Sequence, residues 1–290
     1  MQTKKTILLT GSSRGIGLLT AKTLAKAGHK VYASMRDIST RNSAIAKELS
    51  EFATANKLDL IPTELDVTSK EQCDSVISEI QKQNTIDVLI NNAGVMPVGL
   101  TEAFTNEQVQ ACMDVNLFGP INTTKAVLPA MRANKNGKLI HLSSSAGRLS
   151  IPYFGVYCSS KWALEAYMES LQIELDSFNI ETCIIEPSGH GTELVNSSPE
   201  PSDKNCLESY GELAQGRDKL LGMFKGFFAQ QDPISDAQNI ADAILTLVEQ
   251  SEPMPIRYQI GQDMGVEGIN KATAPIQNGL TEQLKPVYSN

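Results

Sequence analysis

Apolar runs of strand length alternate with longer stretches of helical period through most of the chain. Such alternation predicts a parallel sheet whose crossover helices cover both of its faces. The sequence therefore predicts an α/β fold with one doubly wound parallel sheet, in a single domain that spans residues 1–290. The predicted strands are residues 6–10, 31–35, 58–65, 87–91, 138–143, 182–186 and 257–260.

Small and polar residues directly follow four of these strands. They form a glycine-rich loop at residues 11–17, Asn-Asn-Ala-Gly at 91–94, a serine cluster at 143–145 and Pro-Ser-Gly at 187–189. Ligands of doubly wound sheets bind beyond the carboxyl ends of the strands. We therefore expect the four segments to meet around one ligand.

The glycine-rich loop leads from the first strand into a helix predicted for residues 16–27. Gly11 permits a tight turn, Gly15 lets the backbone approach a pyrophosphate, and Gly17 lets the helix pack closely on the strand. The first turn of a helix offers unpaired N–H groups, which attract anions. The loop therefore predicts a nucleotide site, although glycine triplets also occur in ordinary turns.

A tyrosine and a lysine stand four residues apart in Val-Tyr-Cys-Ser-Ser-Lys at 156–161. On a helix this spacing places Tyr157 and Lys161 on one face, where the ammonium stabilises a phenolate and lowers the pKa of the tyrosine. A phenol with a lowered pKa is an effective acid or base near neutral pH. The same spacing occurs on ordinary amphipathic helices, so by itself it leaves a purely structural role open.

The glycine pattern Gly-x-x-x-Gly-x-Gly, the serine cluster and Tyr-x-x-x-Lys together resemble the classical short-chain dehydrogenase/reductase family. The resemblance covers about residues 5–265 and implies a Rossmann-type fold that transfers hydride between a nicotinamide cofactor and a carbonyl or alcohol. It implies that Ser144 orients the carbonyl and that Tyr157 is the general acid or base. It further implies that Lys161 lowers the pKa of the tyrosine and binds the cofactor ribose.

A fourth catalytic position is implied at Asn116, within a helix predicted to run from residue 106 to about 132. Pro120 has no N–H and its ring crowds the carbonyl of Asn116, so a kink is expected there. The resemblance gives this asparagine a proton-relay role, in which its freed carbonyl holds a water that links Lys161 to solvent. An ordinary proline kink is the structural alternative.

The phosphate state of the cofactor depends on the end of the second strand. The resemblance places the discriminating acid of NAD-binding members at Met35, and Arg36 follows as in members that prefer NADP. Arg14 in the glycine loop adds a second cation, and two arginines suit a 2′-phosphate. We predict NADP(H), while Asp37 at the ribose of NAD(H) is the less favoured alternative.

The resemblance also assigns the remaining cofactor contacts. It places Asp66 and Val67 at the adenine ring and Thr192 at the nicotinamide carboxamide, although Ser188 stands where the family usually has glycine. His190 is interpreted as a loop residue at the substrate mouth. The implied cofactor-binding residues are Gly11, Ser13, Arg14, Gly15, Ile16, Gly17, Arg36, Asp66, Val67, Asn92, Ala93, Gly94, Tyr157, Lys161, Pro187 and Thr192.

Charge, cysteine spacing and the length of apolar runs argue against several other classes of function. A formal charge of −8 argues against a nucleic-acid surface. The five cysteines have no paired spacing, so neither a metal site nor a disulfide framework is expected. No apolar run reaches the length of a membrane span and the first residues lack a signal-peptide pattern, so we expect a cytoplasmic protein.

Residues from about 193 to 233 are polar and interrupted by proline and glycine, which is typical of a substrate-binding lid. Six apolar residues here suit a lipophilic small-molecule substrate or pack on the domain. They are Leu220, Leu221, Met223, Phe224, Phe227 and Phe228. The tail from about 266 is left unassigned. Segments at 32–36 and 255–261 resemble hydroxysteroid-dehydrogenase-like and carbonyl-reductase-like members.

Family analogy predicts a homodimer or homotetramer built on helices at 106–132 and 157–176. Two other functions stay open at this point. One is a catalytically silent protein that binds NADP(H) and signals through a partner. The other is an epimerase or dehydratase, which shares the tyrosine and lysine but normally has another glycine spacing and a longer substrate domain.

Overall fold

Seven parallel strands form one twisted sheet in the computed structural model, which describes residues 3–190, 194–195, 197–228 and 232–288. Their order across the sheet is β3-β2-β1-β4-β5-β6-β7. The strands are β1 Thr6–Leu9, β2 Lys30–Met35, β3 Leu60–Glu64, β4 Val88–Asn91, β5 Gly137–Leu142, β6 Ile180–Ser188 and β7 Arg257–Gly261. The predicted α/β fold with a doubly wound Rossmann-type sheet is confirmed.

Helices cover both faces of this sheet and connect its strands. Within the described residues they are α1 Gly15–Lys26, α2 Ser43–Asn56, α3 Lys70–Gln83, α4 Asn106–Met113, α5 Gly119–Asn134, α6 Gly155–Leu175, α7 Lys204–Ser209, α8 Gly216–Phe228, α9 Gln238–Glu249 and α10 Val266–Tyr288. The long crossovers are required because parallel neighbours cannot be joined by a tight hairpin.

The chain reverses direction across the sheet between β1 and β4. Ile7 pairs with Val31 of β2 on one side and with Val88 of β4 on the other. Ile7 and Leu9 pack into one hydrophobic cluster and Leu8 into a second, because successive side chains of a strand point to opposite faces. A crevice forms at the carboxyl ends of β1 and β4, where such sheets bind ligands.

The helix predicted for 106–132 consists of three parts. After α4, residues Asp114–Phe118 form a π-helical turn that contains Asn116, and α5 begins at Gly119. Pro120 explains the change of helix type, because it cannot donate the hydrogen bond that an α-helix would direct to the carbonyl of Asn116. The disturbance of the helix expected at Pro120 therefore takes the form of a widened, π-helical turn.

The tail from 266 is the 23-residue helix α10, which the sequence left unassigned. Val266 is buried at its start, and beyond it the helix is largely exposed, with Ile276 74% and Leu280 50% accessible. Asn270 attaches the helix to the sheet by donating a hydrogen bond to Glu186 of β6. Most of α10 therefore lies outside the hydrophobic core of the described chain.

Candidate functional site

The glycine loop lies in contact with the end of β4. Gly11 and Gly15 have positive φ values of 71° and 53°, which L-residues with side chains rarely adopt. A Cβ on Gly11 would lie 2.7 Å from the Cα of Ala93, and one on Gly17 would collide with the carbonyl oxygen of Gly11. Glycine is therefore required at 11 and 17 by close backbone packing.

Hydrogen bonds join this loop to the segment at 92–94. The Asn92 side-chain amide donates to the carbonyl oxygens of Thr10 and Gly11, both at 2.9 Å. In return, the hydroxyl of Thr10 accepts from the backbone N–H groups of Asn92 and Ala93. The two loops thus form one rigid unit across the crevice.

Helix α1 presents its N-terminus to the same crevice. Arg14 at the cap position makes no side-chain capping hydrogen bond, and the first turn of α1 contains no acidic residue. The orphan N–H groups of a helix start need an acceptor, and the helix dipole favours a negative one. This end of α1 therefore has the properties of an anion site.

A cavity of about 1180 Å³ extends from this helix end to Tyr157 and beyond. It is lined by residues from all four segments that follow β1, β4, β5 and β6. The predicted cofactor residues along it are Gly11, Ser13, Arg14, Gly15, Ile16, Gly17, Arg36, Asp66, Val67, Asn92, Ala93, Gly94, Tyr157, Lys161 and Pro187. Thr192 lies outside the described residues.

Tyr157 and Ser144 meet in the middle of this cavity. Tyr157 is 6% exposed, and burial raises the pKa of its phenol, whereas a side-chain hydrogen bond with Ser144 lowers it. The net direction is opposite to the lowering that the sequence predicts for Tyr157, because desolvation of the phenolate outweighs the other effects. The neutral phenol, which can donate a proton, is therefore the stable form near neutral pH.

Lys161 lies one helical turn after Tyr157 on α6. Its ammonium donates a 2.7 Å hydrogen bond to the carbonyl oxygen of Leu142, and its Nζ lies 5.8 Å from the centre of the Tyr157 ring. Burial lowers the pKa of Lys161 to about 8. The lysine therefore remains mostly charged at neutral pH. The Leu142 carbonyl at the end of β5 orients its ammonium group.

Asn116 contacts the site from outside the cavity. Its side-chain oxygen accepts from the N–H of Val95 and its amide nitrogen donates to the carbonyl of Val95, both at 2.8 Å. The same nitrogen donates to the hydroxyl of Ser160 at 2.9 Å. Asn116 thus joins the segment after β4 to α6, and only its neighbour Val115 lines the cavity.

Three cationic side chains line the cavity, namely Arg14, Arg36 and Arg41. Arg36 directly follows β2, whereas Arg14 of the glycine loop donates a 2.9 Å hydrogen bond to Ser197. Arg41 was not found from the sequence, because it lies in the irregular segment before α2 and belongs to no recognised motif. Asp37 does not line the cavity, and its carboxylate forms an ion pair with Arg41 at 3.1 Å.

One end of the cavity is apolar. Phe154 stacks edge-on against both Tyr157 and Phe224 of α8, with ring centres 6.1 and 5.8 Å apart. Apolar side chains from five separate segments surround this end. They are Val95, Met96, Ile151, Phe154, Leu194, Val195, Leu220, Met223, Phe224 and Met264. Of the predicted lid residues, the side chains of Phe227 and Phe228 lie outside the described part.

His190 lines the cavity beside the end of β7. It is buried, and burial lowers the pKa of its imidazole, so the ring is neutral near neutral pH. A Cβ on Gly261 would collide with this ring, so the two residues are packed directly together. No group of side chains suited to a metal ion occurs within the described residues.

Nothing in the described part of the chain resembles a transmembrane helix, since every helix is too short or too polar to cross a bilayer.

Comparison with known proteins agrees with this geometry. The profile of the short chain dehydrogenase family matches residues 5–203. The 3-ketodihydrosphingosine reductase of Bacteroides thetaiotaomicron is 32% identical over 255 residues, which covers 88% of this chain and 87% of that protein. Human retinol dehydrogenase 8 is 34% identical over 269 residues, which covers 88% of this chain and 81% of that protein.

Solved structures show the same architecture. A short-chain dehydrogenase from Streptomyces avermitilis superposes with a TM-score of 0.75 at 28% identity, covering 99% of this chain and 98% of that one. A short chain dehydrogenase from Burkholderia cenocepacia, solved in complex with NADP, superposes with a TM-score of 0.67 at 24% identity. That alignment covers 98% of this chain and 99% of the other.

Proposed function

Because the chain belongs to the classical short-chain dehydrogenase/reductase family of oxidoreductases, we propose that it uses NADP(H) to interconvert a carbonyl and an alcohol. One observation carries the proposal. Ser144, Tyr157 and Lys161 line the same cavity as the uncapped end of α1. The proposed proton donor, Tyr157, and the proposed cofactor site therefore share one cavity, which continues into an apolar chamber for the substrate.

The shape of the crevice fits a dinucleotide. Gly11 and Gly17 leave no room for a Cβ against the neighbouring backbone, and the start of α1 offers its N–H groups to a pyrophosphate. Asp66 and Val67 would hold the adenine, and residues at 92–94 the adenosine ribose. Thr192 would bind the carboxamide, as the family resemblance implies.

The preference for NADP(H) is supported by the cations next to β2. Arg14, Arg36 and Arg41 line the cavity where a 2′-phosphate would lie, and guanidinium groups bind phosphate through paired hydrogen bonds. Asp37, the candidate partner for the ribose of NAD(H), does not line the cavity. The related Burkholderia dehydrogenase was solved with NADP, which agrees with this choice.

In the reductive direction, Tyr157 donates the proton from its phenol oxygen to the carbonyl oxygen of the substrate. NADPH held at the glycine loop and by Lys161 would supply the hydride to the carbonyl carbon. Ser144 donates a hydrogen bond to the same carbonyl oxygen and orients it toward the phenol. Burial keeps Tyr157 protonated until it reacts, because it raises the pKa of the phenol. In the oxidative direction, Tyr157 accepts the proton.

Lys161 stabilises the phenolate that forms on Tyr157. The carbonyl of Leu142 holds its ammonium, whose Nζ lies 5.8 Å from the centre of the tyrosine ring. The ammonium would also bind the cofactor ribose. Asn116 completes the relay, because Pro120 frees its backbone carbonyl to hold a water between Lys161 and solvent. Its side chain fixes the segment at Val95. The proton lost by Tyr157 is then replaced through Lys161 from solvent.

The substrate is proposed to be a lipophilic ketone, aldehyde or alcohol. Beyond Tyr157 the chamber is lined by Met96, Phe154, Phe224 and other apolar groups, which pack into one hydrophobic cluster with Tyr157. A charged substrate would lose its hydration there without a partner. The names of the two relatives, a ketodihydrosphingosine reductase and a retinol dehydrogenase, are consistent with a lipophilic substrate.

Spectrophotometric turnover tests this function. The loss of NADPH and NADH absorbance is followed over a panel of long-chain, steroidal and short ketones and aldehydes. Tyr157→Phe is expected to lower kcat by a factor on the order of 10²–10⁴, because it removes the proton donor and little volume. Tyr153→Phe is the matched control, since its hydroxyl bonds only to the carbonyl of Leu213 within the described structure.

The two variants separate the enzyme from the silent binding protein. An enzyme loses turnover in Tyr157→Phe and keeps it in Tyr153→Phe, with the same NADPH affinity in both. A silent protein binds NADPH tightly and turns over none of the carbonyls. Turnover that survives in Tyr157→Phe would remove the proposed role of the tyrosine.

We also propose a homodimer or homotetramer built on the helical run from α4 to α5 and on α6. Phe118 and Trp162 on these elements are 45% and 46% exposed, and large aromatic side chains are enriched at protein interfaces. Light scattering checks this assembly. A monomeric mass at micromolar concentration would remove it.

A further inference from the structure

A buried ion cluster lies behind the serine loop, which comprises residues 143–147. Glu165 of α6 and Glu186 of β6 are 2% and 0% exposed, and the guanidinium of Arg257 from β7 lies between them. None of the three residues lines the cavity. The proposed chemistry makes no use of them.

The cluster contacts the serine loop through one carboxylate. The hydroxyl of Ser143 donates a hydrogen bond to Oε1 of Glu165, whose Oε2 pairs with Nη1 of Arg257. Nη1 also contacts Oε1 of Glu186 at 2.6 Å. Ser143, next to Ser144 in the chain, is thereby connected to an arginine on the last strand of the sheet.

Two further side chains hold the far end of the cluster. Glu169, one helical turn after Glu165, accepts a 2.9 Å hydrogen bond from Nε of Arg257. Asn270 of α10 donates to Oε2 of Glu186 at 2.5 Å. The guanidinium is therefore fixed by three carboxylates, and one of these is tied to the C-terminal helix.

Charge explains why Arg257 is needed at this place. A buried carboxylate is costly unless it is paired. Burial raises the pKa of Glu165 above its ordinary value, and the Arg257 guanidinium and the Ser143 hydroxyl oppose this rise. Both contacts favour the anion, which is the stronger acceptor for the Ser143 hydroxyl.

The backbone of the serine loop closes over this carboxylate. A Cβ on Gly147 would collide with Oε1 of Glu165 and with the hydroxyl oxygen of Ser143. The loop is also held by the N–H of Ser143, which donates to the carbonyl of Ile185 at 2.8 Å. The carboxylate therefore fills the space between α6 and the residues on either side of Ser144.

We propose that Glu165, held in place by Arg257, is a positioning residue that fixes Ser143 and thereby directs Ser144 toward the substrate carbonyl. This inference rests on the proposed function. Ser144 makes contact with the substrate, whereas Glu165 acts only through the loop. A displacement of Ser144 by a fraction of an ångström to 1 Å lowers the rate by a factor on the order of 10 to 100.

A double-mutant cycle tests this coupling. Ser143→Ala, Ser144→Ala and the double variant are compared for kcat and KM with NADPH and a ketone that the wild-type enzyme reduces. Ser143→Ala is expected to lower kcat about tenfold and to leave NADPH affinity unchanged. In the Ser144→Ala background, Ser143→Ala should lower kcat by less than about twofold, because the Ser144 hydroxyl that Ser143 positions is absent.

Two glutamate variants distinguish the carboxylate that contacts Ser143 from one that does not. Glu165→Ala is expected to lower kcat about tenfold, and this loss should also shrink in the Ser144→Ala background. Glu169→Gln removes the charge of another α6 carboxylate that contacts Arg257 but not Ser143. The kcat of this variant should stay within about twofold of the wild-type value. Melting temperatures and NADPH binding verify that each variant is folded.

Each outcome has a separate meaning. Additive losses in the cycle, or an equal loss in Glu169→Gln, would overturn the positioning role and leave only a structural one. Wild-type activity in Ser143→Ala together with strong loss in Ser144→Ala would also overturn it, while the proposed function stands. Full activity in Ser144→Ala would instead contradict the proposed function itself.

Discussion

The ammonium of Lys161 donates a 2.7 Å hydrogen bond to the carbonyl oxygen of Leu142 and lies beside the Tyr157 ring. The carbonyl at the end of β5 thereby orients the lysine. Burial opposes its charge and lowers the pKa of Lys161 from 10.5 to about 8. The pH range in which this ammonium supports catalysis is consequently narrower than that of an exposed lysine.

Carbonyl reduction should decline as the pH rises through about 8. The sign follows from the lowered pKa, since the charged form exists below about pH 8 and is lost above it. Initial rates with NADPH between pH 6 and 10 measure the effect, and NADPH fluorescence titrations at each pH separate chemistry from cofactor binding. Lys161→Met should be slower throughout and lack this transition. A wild-type rate that is constant up to pH 10 would contradict the prediction.

Arg36→Ala and Arg41→Ala should each weaken NADPH binding on the order of 10- to 100-fold and change NADH binding little. Each variant removes a charged hydrogen-bond donor to the 2′-phosphate, a contact that contributes on the order of 1.5–3 kcal/mol. Dissociation constants from fluorescence titration at two salt concentrations check this, because the phosphate contribution is screened by salt.

Arg132→Ala is the control for both arginine variants, since this exposed arginine near the end of α5 does not line the cavity. It should bind NADPH and NADH as the wild-type protein does. If the two arginine variants weaken NADPH and NADH equally, the 2′-phosphate assignment is wrong.

Gly17→Ala should reduce both cofactor affinity and stability. The added Cβ would overlap the Gly11 carbonyl and lie 2.5 Å from the side-chain nitrogen of Asn92. Overpacking of this kind costs about 1–3 kcal/mol. Thermal denaturation with and without NADPH measures both effects.

Gly279→Ala makes the same chemical change in α10, where a Cβ meets nothing within 4 Å. It should be neutral or more stable by up to about 1 kcal/mol, because alanine favours a helix more than glycine does. Similar melting temperatures for Gly17→Ala and wild type would argue against the close loop packing.

Phe224→Ala should raise the KM for long lipophilic ketones much more than the KM for short ones. Phe224 lines the apolar end of the cavity and stacks on Phe154, so its removal exposes the part of a long substrate that lies beyond the carbonyl. Steady-state kinetics with a homologous series of ketones checks the length dependence. Leu213→Ala is the control, because Leu213 is 61% exposed and does not line the cavity.

An equal change for every chain length in Phe224→Ala would mean that α8 does not cover the substrate. The lid assignment for residues 193–233 would then be withdrawn, and the apolar residues of α8 would serve only to pack on the domain. Unchanged kinetics in both variants would lead to the same conclusion.

Local pattern was sufficient for most of the fold. The seven strands occur where apolar runs predict them, with boundary differences such as β6, which extends from Ile180 to Ser188 beyond the predicted 182–186. The sequence left helix α10 unassigned. Ile276, Leu280 and Leu284 recur at helical spacing but are exposed, and the attachment of the helix through Asn270 depends on a partner far away in the chain.

The site was predictable where its residues belong to contiguous motifs. The glycine loop, the segment at 92–94, Ser144, Tyr157 and Lys161 do line one cavity. Arg41, Met96 and Met264 were missed, because they belong to irregular segments without a local signature. Asn116 was found by its motif, but its contacts with Val95 and Ser160 are visible only in three dimensions.

The sequence by itself determined which chemical groups follow which strand. A glycine turn follows β1, amides follow β4 and serines follow β5, and a tyrosine and a lysine stand one helical turn apart. Periodicity and spacing are local, so they can be read without knowing which segments meet. Only the tertiary structure decided the direction of the Tyr157 pKa and the contact between Glu165 and Arg257, 92 residues apart. Both depend on burial, and burial is a property of the assembled sheet and helices.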